Sequence, residues 1–391
     1  MIDEQNVEVV DTRLGPMTLF KHDVCAVSHS LRLYGEWAAH ELEFLARLIP
    51  AAATVVDVGA YVGTHALAFS RLVGPDGRVV AIEAQAQSFE VLGRNVARAG
   101  ASNVVLVHSV AADADGAMEI AAIDPGCNGS FGSACVRDSL SGHQREAIRC
   151  ITIDSLELAH CALIKIDAEG TEHCVIAGAH RTLARLSPLV YAECNSVDDG
   201  ARTFGRLKDR GYRTYLHVVD AFNAGNFKGS DENFFGPARE VAILGVPEAQ
   251  ARMVAALPLG AHELLLEAAT LDDIALGLLN KPQYPAEILR GGAAGRSGGA
   301  AWLDGIEALR LELAALRREA ARHDEGERLR RDDAAMLMAQ SAAARADLLQ
   351  ARAEIGALLA AAELERSRER ARGMGGFLRE ARKLSAMLFS F

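Results

Sequence analysis

The chain has 391 residues, is 50% hydrophobic and carries a formal net charge of −11. That length predicts two or three domains, and the acidic balance argues against a general nucleic-acid binder. Seven cysteines with no C-x-x-C pair argue against a disulfide scaffold and for reduced thiols in a cytosol.

The acidic opening MIDEQNVEVVD lacks an apolar core, so it does not read as a secretory signal. No apolar run reaches the roughly 18–20 residues of a membrane span. Residues 1–24 alternate like short strands around Gly15-Pro16 and predict a hairpin. From Trp37 on, apolar Ala38, Leu42, Leu45 and Leu48 recur at helical spacing. That helix is expected to lie over the edge of a ligand site, and residues 1–50 form a hairpin-and-cap unit.

Thr54–Gly63 (TVVDVGAYVG) reads as a strand and a glycine turn, and Thr64–Leu72 as the helix that follows. Beyond it, strands are expected at 54–58, 78–82, 103–108, 148–153, 161–167, 188–194, 212–217 and 240–246, with helices near 64–73, 86–99, 171–186 and 199–210. Alternating β and α with near-continuous apolar strands predicts an α/β domain over 51–250, its parallel sheet covered on both faces. Ligands in such sheets sit beyond the carboxyl ends of the strands. That rule selects Asp57, Gly59, Ala60, Tyr61, Gly63, Thr64, Glu83, Ala84, Asp113, Asp167 to Gly170 and Glu193 to Asn195.

The turn departs from G-x-G-x-x-G, since Tyr61 stands where a pyrophosphate needs glycine. S-adenosylmethionine has no phosphate, and its amino-acid end suits Asp57 plus a turn of free N–H groups. Glu83, about twenty residues on, is placed to accept from a ribose diol. A dinucleotide site and a ligand-free structural turn are the alternatives.

In Leu163–Glu172 (LIKIDAEGTE), Lys165 and Asp167 share one face of a strand. Methyl transfer to a hydroxyl needs an in-line oxygen and removal of its proton. Asp167 is the first candidate base, Glu169 the second and His173 the third; Lys165 orients Asp167 or keeps it ionised. An ion pair that only organises the sheet is the plainer reading. Glu193 and Asn195 are placed to grip a polyhydroxylated substrate, although Asn195 could instead cap the next helix. The twelve histidines include no HExxH and no close ligand cluster, which predicts no metal.

Residues 114–147 hold a polar, glycine-rich stretch (DPGCNGSFGSAC) expected to be an active-site loop. Residues 251–301 read as a weak helical segment and a flexible Gly-rich linker. Over 302–370 a heptad register from Ile306 to Glu365 predicts a two-stranded coiled coil with a polar centre, and hence a homodimer, with a single solvated helix as the alternative. The tail, 371–391, combines basic residues with an apolar SAMLFSF end. It suits peripheral contact with an anionic inner membrane face, or packing on its own partner.

YGEW (34–37), VVDVGAYVGTHALAFSRLVGPDGRVVAIEA (55–84), CNGSFGS (127–133), ITIDSL (151–156), LIKIDAEGTEHCVIAGAHRTL (163–183) and PLVYAEC (188–194) occur in one order. Together they resemble the FkbM family of S-adenosylmethionine-dependent methyltransferases over roughly residues 30–245. The resemblance implies a class I methyltransferase fold with a mostly parallel seven-stranded sheet, and O-methylation, often of sugars. It implies cofactor contacts at Asp57, Gly59, Gly63 and Glu83, and substrate-side roles for Asn128, Ser130, Lys165, Asp167 and Glu169. Tyr61 stands where the family commonly has Asn. The expectation is a cytoplasmic enzyme methylating a glycan hydroxyl. A lipid-linked or secondary-metabolite hydroxyl is the alternative, as is a cofactor-binding assembly protein that recruits glycosyltransferases.

Overall fold

The computed structural model describes residues 2–132 and 145–281. The expected linker, coiled coil (302–370) and basic tail (371–391) lie outside the described residues. The N-terminal hairpin is present, with β1 (Val7–Thr12) antiparallel to β2 (Gly15–Phe20). Two short helices follow, α1 (Ala26–Leu33) and α2 (Ala39–Ala46). The helix expected from Trp37 starts at Ala39, because Ala38 takes the left-handed conformation at φ 51° and takes Trp37 out of the helical register.

The central run is β3 (Thr54–Val58), α3 (Thr64–Val73), β4 (Arg78–Glu83), α4 (Ala86–Ala99) and β5 (Val104–His108). Helix α3 starts where Gly63, at φ 97°, turns the chain out of the strand. The chain then builds a small sheet from β6 (Val110–Ala111), β7 (Gly116–Ala121) and β8 (Arg145–Ile151). So the expected strand 148–153 belongs to this second sheet, and part of the expected loop 114–147 is strand. The main sheet resumes with β9 (Leu163–Ile166), α5 (Glu172–Ala177), α6 (His180–Leu186), β10 (Leu189–Glu193) and α7 (Val197–Lys208). The single helix expected over 171–186 is therefore two. Last come β11 (Tyr212–Asp220), β12 (Arg239–Pro247), α8 (Glu248–Ala255), β13 (Glu263–Glu267) and α9 (Leu271–Leu278).

The main sheet has eight strands in the order β13-β11-β12-β10-β9-β3-β4-β5. Strands β10, β9, β3, β4 and β5 are parallel. Strand β12 runs antiparallel to β10, β11 to β12, and β13 to β11. The eighth strand corrects the seven-stranded expectation. It lies in the segment read as helical, where ELLLE (263–267) pairs along β11 and so completes a ladder. Both faces are buried, as near-continuous apolar strands require. Val55, Val79, Leu163 and Leu189 pack into one core layer; Val56, Val80, Ile164 and Val190 pack into the other. Among the described residues no helix is long and apolar enough to cross a membrane.

Candidate functional site

Two cavities open beyond the carboxyl ends of the parallel strands. The first, about 810 Å³, lies over the turn after β3, the end of β4 and the β5–β6 junction. The second, about 490 Å³, lies over β9, β10 and β12. Both are lined by Trp37, His65, Lys165 and Asp167, so they meet at those four residues.

In the first cavity Gly59, Ala60, Tyr61, Thr64, Glu83 and Ala84 stand where the strand-end rule put them. Glu83 is held by backbone amides: its Oε2 accepts from Tyr61 N at 2.8 Å and its Oε1 from Gln85 N at 2.8 Å. Burial pushes its carboxyl up to about 7, against the lowering effect of those amides. Each oxygen retains an acceptor lone pair. The turn's N–H groups are less available than expected. Gly59 N and Ala60 N both donate to the Ile82 carbonyl at 3.0 Å, and Gly63 N donates to Ala60 at 2.8 Å.

Three of the expected cofactor residues do not line this cavity. Asp57 is fully buried on the opposite side of β3 from Val58 and faces Lys165, whose Nζ is 3.6 Å from its Oδ1. A strand alternates its faces, so Asp57 cannot share a face with Val58 next to it. Gly63 caps α3 instead of facing ligand. Asp113 is exposed, because β6 pairs with β8 and carries the chain off into the small sheet. Ser109, Val110 and Ala111 supply that wall.

Around the meeting point the charges are dense. Lys165 is 4% exposed and lies 3.3 Å from Asp167 Oδ2. Burial works against its charge, but the carboxylates of Asp167, Asp57, Glu41 and Glu193 outweigh it and hold the ammonium above its ordinary range. Burial likewise opposes ionisation of Asp167, yet Lys165 beside it holds that carboxyl below the usual range. Glu169 behaves oppositely: burial and then Asp167 push it up to about 8. Burial and Asp167 also raise Glu193 well above the carboxylate range. One carboxylate oxygen from each of Asp167, Glu169 and Glu193 falls within 4.8 Å of the others. Lys165 beside Asp167 and Lys281, 4.0 Å from Glu193, neutralise part of that charge.

Of the expected substrate residues, Trp37 and Glu193 line the second cavity. Asn128 and Ser130 are exposed and line neither; Phe131 and Gly132 of the same loop form the wall. His173 also lines neither cavity, since it sits on α5 with its Nε2 3.5 Å from Cys174 Sγ. Asn195 accepts from Lys281, and Ser196 caps α7, its hydroxyl accepting from Asp199 N at 3.1 Å. Trp37 owes its place to YGEW. Glu36, 7% exposed, accepts from Arg13, from Asn223 Nδ2 at 2.7 Å and from Phe227 N at 2.9 Å. Tyr34 stacks on Phe234 at 5.4 Å, so the β11–β12 connection is fixed against α1 and Trp37.

Several lining groups escaped the sequence reading: Glu41, His65, Tyr191 and Glu240. Glu41 Oε1 meets His65 Nε2 at 2.9 Å, and Tyr191 OH meets His217 Nδ1 at 2.8 Å. Lys281 Nζ is 3.0 Å from Glu240. One signal was available. Polar residues inside apolar strands (Lys165, Tyr191, His217) all fall on one face, since Lys165 registers with both Asp57 and Tyr191 across neighbouring strands.

Residues 57–214 match the family model described as the methyltransferase FkbM domain. This segment is similar to that domain. It holds the turn after β3, Glu83, Lys165, Asp167 and Glu193, while Trp37, Glu41 and Glu240 lie outside it. Among solved structures, the chain is similar to the methyltransferase FkbM from Methylobacillus flagellatus KT, at 15% identity and TM-score 0.34, covering 51% of this chain and 44% of that one. It is similar to precorrin-6y C5,15-methyltransferase from Geobacter metallireducens GS-15, at 15% identity and TM-score 0.33, covering 54% of this chain and 86% of that one. It is also similar to Aeropyrum pernix fibrillarin in complex with natively bound S-adenosyl-L-methionine, at 16% identity and TM-score 0.34, covering 62% of this chain and 94% of that one. No curated protein matches the chain.

Proposed function

We propose that this protein is an S-adenosylmethionine-dependent O-methyltransferase acting on a sugar hydroxyl. The observation that carries the reading is the junction of the two cavities at Trp37, His65, Lys165 and Asp167. The first cavity fits the cofactor. Glu83 offers carboxylate lone pairs at the end of β4, and Ile82, Val110 and Phe131 give an apolar wall suited to a purine. When bound there, S-adenosylmethionine supplies an electrophilic methyl group. The second cavity fits a polyol: Glu193 and Glu240 accept from hydroxyl groups, and Trp37 offers an aromatic face to the C–H side of a pyranose.

Asp167 is the proposed base. It lines both cavities, and Lys165 holds it ionised. It takes the hydroxyl proton as the acceptor oxygen becomes nucleophilic, an assistance typically worth about 10²–10⁴-fold. Calorimetry with S-adenosylmethionine, followed by transfer of radiolabelled methyl to cell glycans, is the test. No binding, or binding with no label in any extract, overturns the reading.

A second acceptor class is favoured by one observation. An apolar groove of about 960 Å³, lined by Leu14, Leu31, Leu42 and Leu72, shares Trp37 and Thr64 with the site. A lipid-linked sugar would place its head in the second cavity and its chain in this groove. Label in the organic extract rather than in polysaccharide selects that reading. The proposal extends to a homodimer formed by residues 302–370 and to peripheral membrane contact by 371–391. Analytical ultracentrifugation and anionic liposome flotation of the full chain and of a truncation after Leu364 test those two parts.

A further inference from the structure

A buried carboxylate with no part in the chemistry above sits behind the first cavity. Asp23, 1% exposed, lies between β2 and α1. Its Oδ1 accepts the Cys25 N–H at 3.1 Å and the Phe131 N–H at 3.0 Å. Its Oδ2 accepts the Cys25 thiol at 2.8 Å and the hydroxyls of Ser28 and Tyr61. Two of these donors come from different segments of the cavity lining. Tyr61 is in the turn after β3, and Phe131 is in the loop that reaches the cavity from between β7 and β8. An N-cap duty toward α1 would need neither of them, and Cys25 already caps that helix.

The surroundings lock the same contact. Asp23 forms a parallel bridge with Gly129. Val24 N donates to Gly129 O at 2.9 Å and Gly129 N to His22 O at 3.1 Å. Phe131 packs edge-on against Phe20 at 5.3 Å. Gly132 completes the fit, since a Cβ there would lie 3.0 Å from Cys25 Sγ and 3.4 Å from Tyr61. A carboxylate can only accept, so one group takes every donor from both segments with the strength of a charged acceptor.

We propose that Asp23 is a positioning residue that fixes the turn and the loop lining the cofactor cavity against one another by holding the Phe131 amide and the Tyr61 hydroxyl on one carboxylate. The inference rests on the reading that this cavity takes S-adenosylmethionine. It also gives Tyr61 a purpose of its own: the ring ties the turn to the loop through its hydroxyl, while its backbone N–H serves Glu83.

The test is calorimetry of the full chain with S-adenosylmethionine and S-adenosylhomocysteine, together with amide hydrogen exchange and Tm. Tyr61→Phe deletes one segment's tie and keeps the ring; affinity falls about 10-fold. Ser28→Ala deletes a donor to the same oxygen that belongs to neither segment; Tm falls and affinity stays within about 2-fold. Asp23→Asn weakens affinity and speeds exchange of the Phe131 amide. Equal affinity in all three variants, or equal loss in Ser28→Ala and Tyr61→Phe, marks the cluster as structural only and overturns the proposal. If the unmodified chain does not bind the cofactor, the reading of the cavity falls, and this inference with it. Binding by the unmodified chain with unchanged variants overturns the inference alone.

Discussion

The two cavities satisfy their carboxylates by different means. In the first, Glu83 is held by the amides of Tyr61 and Gln85, groups fixed by the strand ends themselves. In the second, Asp167, Glu193 and Glu240 depend on two long side chains, Lys165 and Lys281. Backbone donors cannot move or titrate, which on the proposed function suits the first cavity to one unvarying ligand. Side-chain cations can move, which on the proposed function suits the second cavity to handling the acceptor and its proton.

That contrast predicts where substitutions act. Asp167→Asn, which keeps shape and removes the proposed base, should cut turnover about 10²–10⁴-fold and leave cofactor affinity nearly unchanged. Single-turnover kinetics beside calorimetry checks this. Survival of turnover, with its loss in Glu169→Gln, would move the base to Glu169. Lys165→Met leaves Asp57 buried without a cation, and a broken buried pair costs about 3–5 kcal/mol. Urea unfolding of the full chain measures it; a stability change within error would show that the Lys165–Asp57 contact carries no such weight. Glu83→Ala should act on the first cavity alone, weakening S-adenosylmethionine binding about 10- to 100-fold. An equal loss from Glu240→Gln would erase the distinction between the cavities.

The smallest expected effect is a pH dependence. Glu169 rises from its ordinary 4.5 to about 8 in the folded chain. Glu83 and Glu172 each rise to about 7, chiefly through burial. The folded state therefore binds more protons than the unfolded chain between those limits, so stability is greatest at the acid end of that window and falls as pH rises through it. Melting curves from pH about 5 to about 8.5 should show the decline, and Glu169→Gln should flatten its upper part. A Tm that climbs across this range would contradict the burial assigned to these groups.

The same contrast explains what could be read in advance. The first cavity is made from contiguous segments, and Gly59 to Thr64 with Glu83 were visible because a strand, a turn and a helix start leave a local signature. Asp57 was misplaced by one pleat: it lies one residue short of the turn in sequence and points to the other face of the strand. The second cavity draws Glu41, His65, Tyr191 and Glu240 from four separate elements. No spacing marks them, because only the order of the strands in the sheet brings them together. Strand β13 was read as helical because ELLLE is short and carries its charges at both ends, with its partner β11 separated from it by β12 and α8.

Gly59 has a consequence for how such an enzyme could change its acceptor. A single methyl at that position would stand 1.8 Å from the Asp167 carbonyl oxygen. The two strand ends are thus pressed together to the limit that hydrogen allows, and the turn and the acid form one inelastic block. A new substrate cannot be accommodated by parting them. Diversification is left to the far wall, where Trp37 rests on a connection between strands and Lys281 on the end of a helix. Acceptor preference can drift there while the methyl-donor side stays as it is.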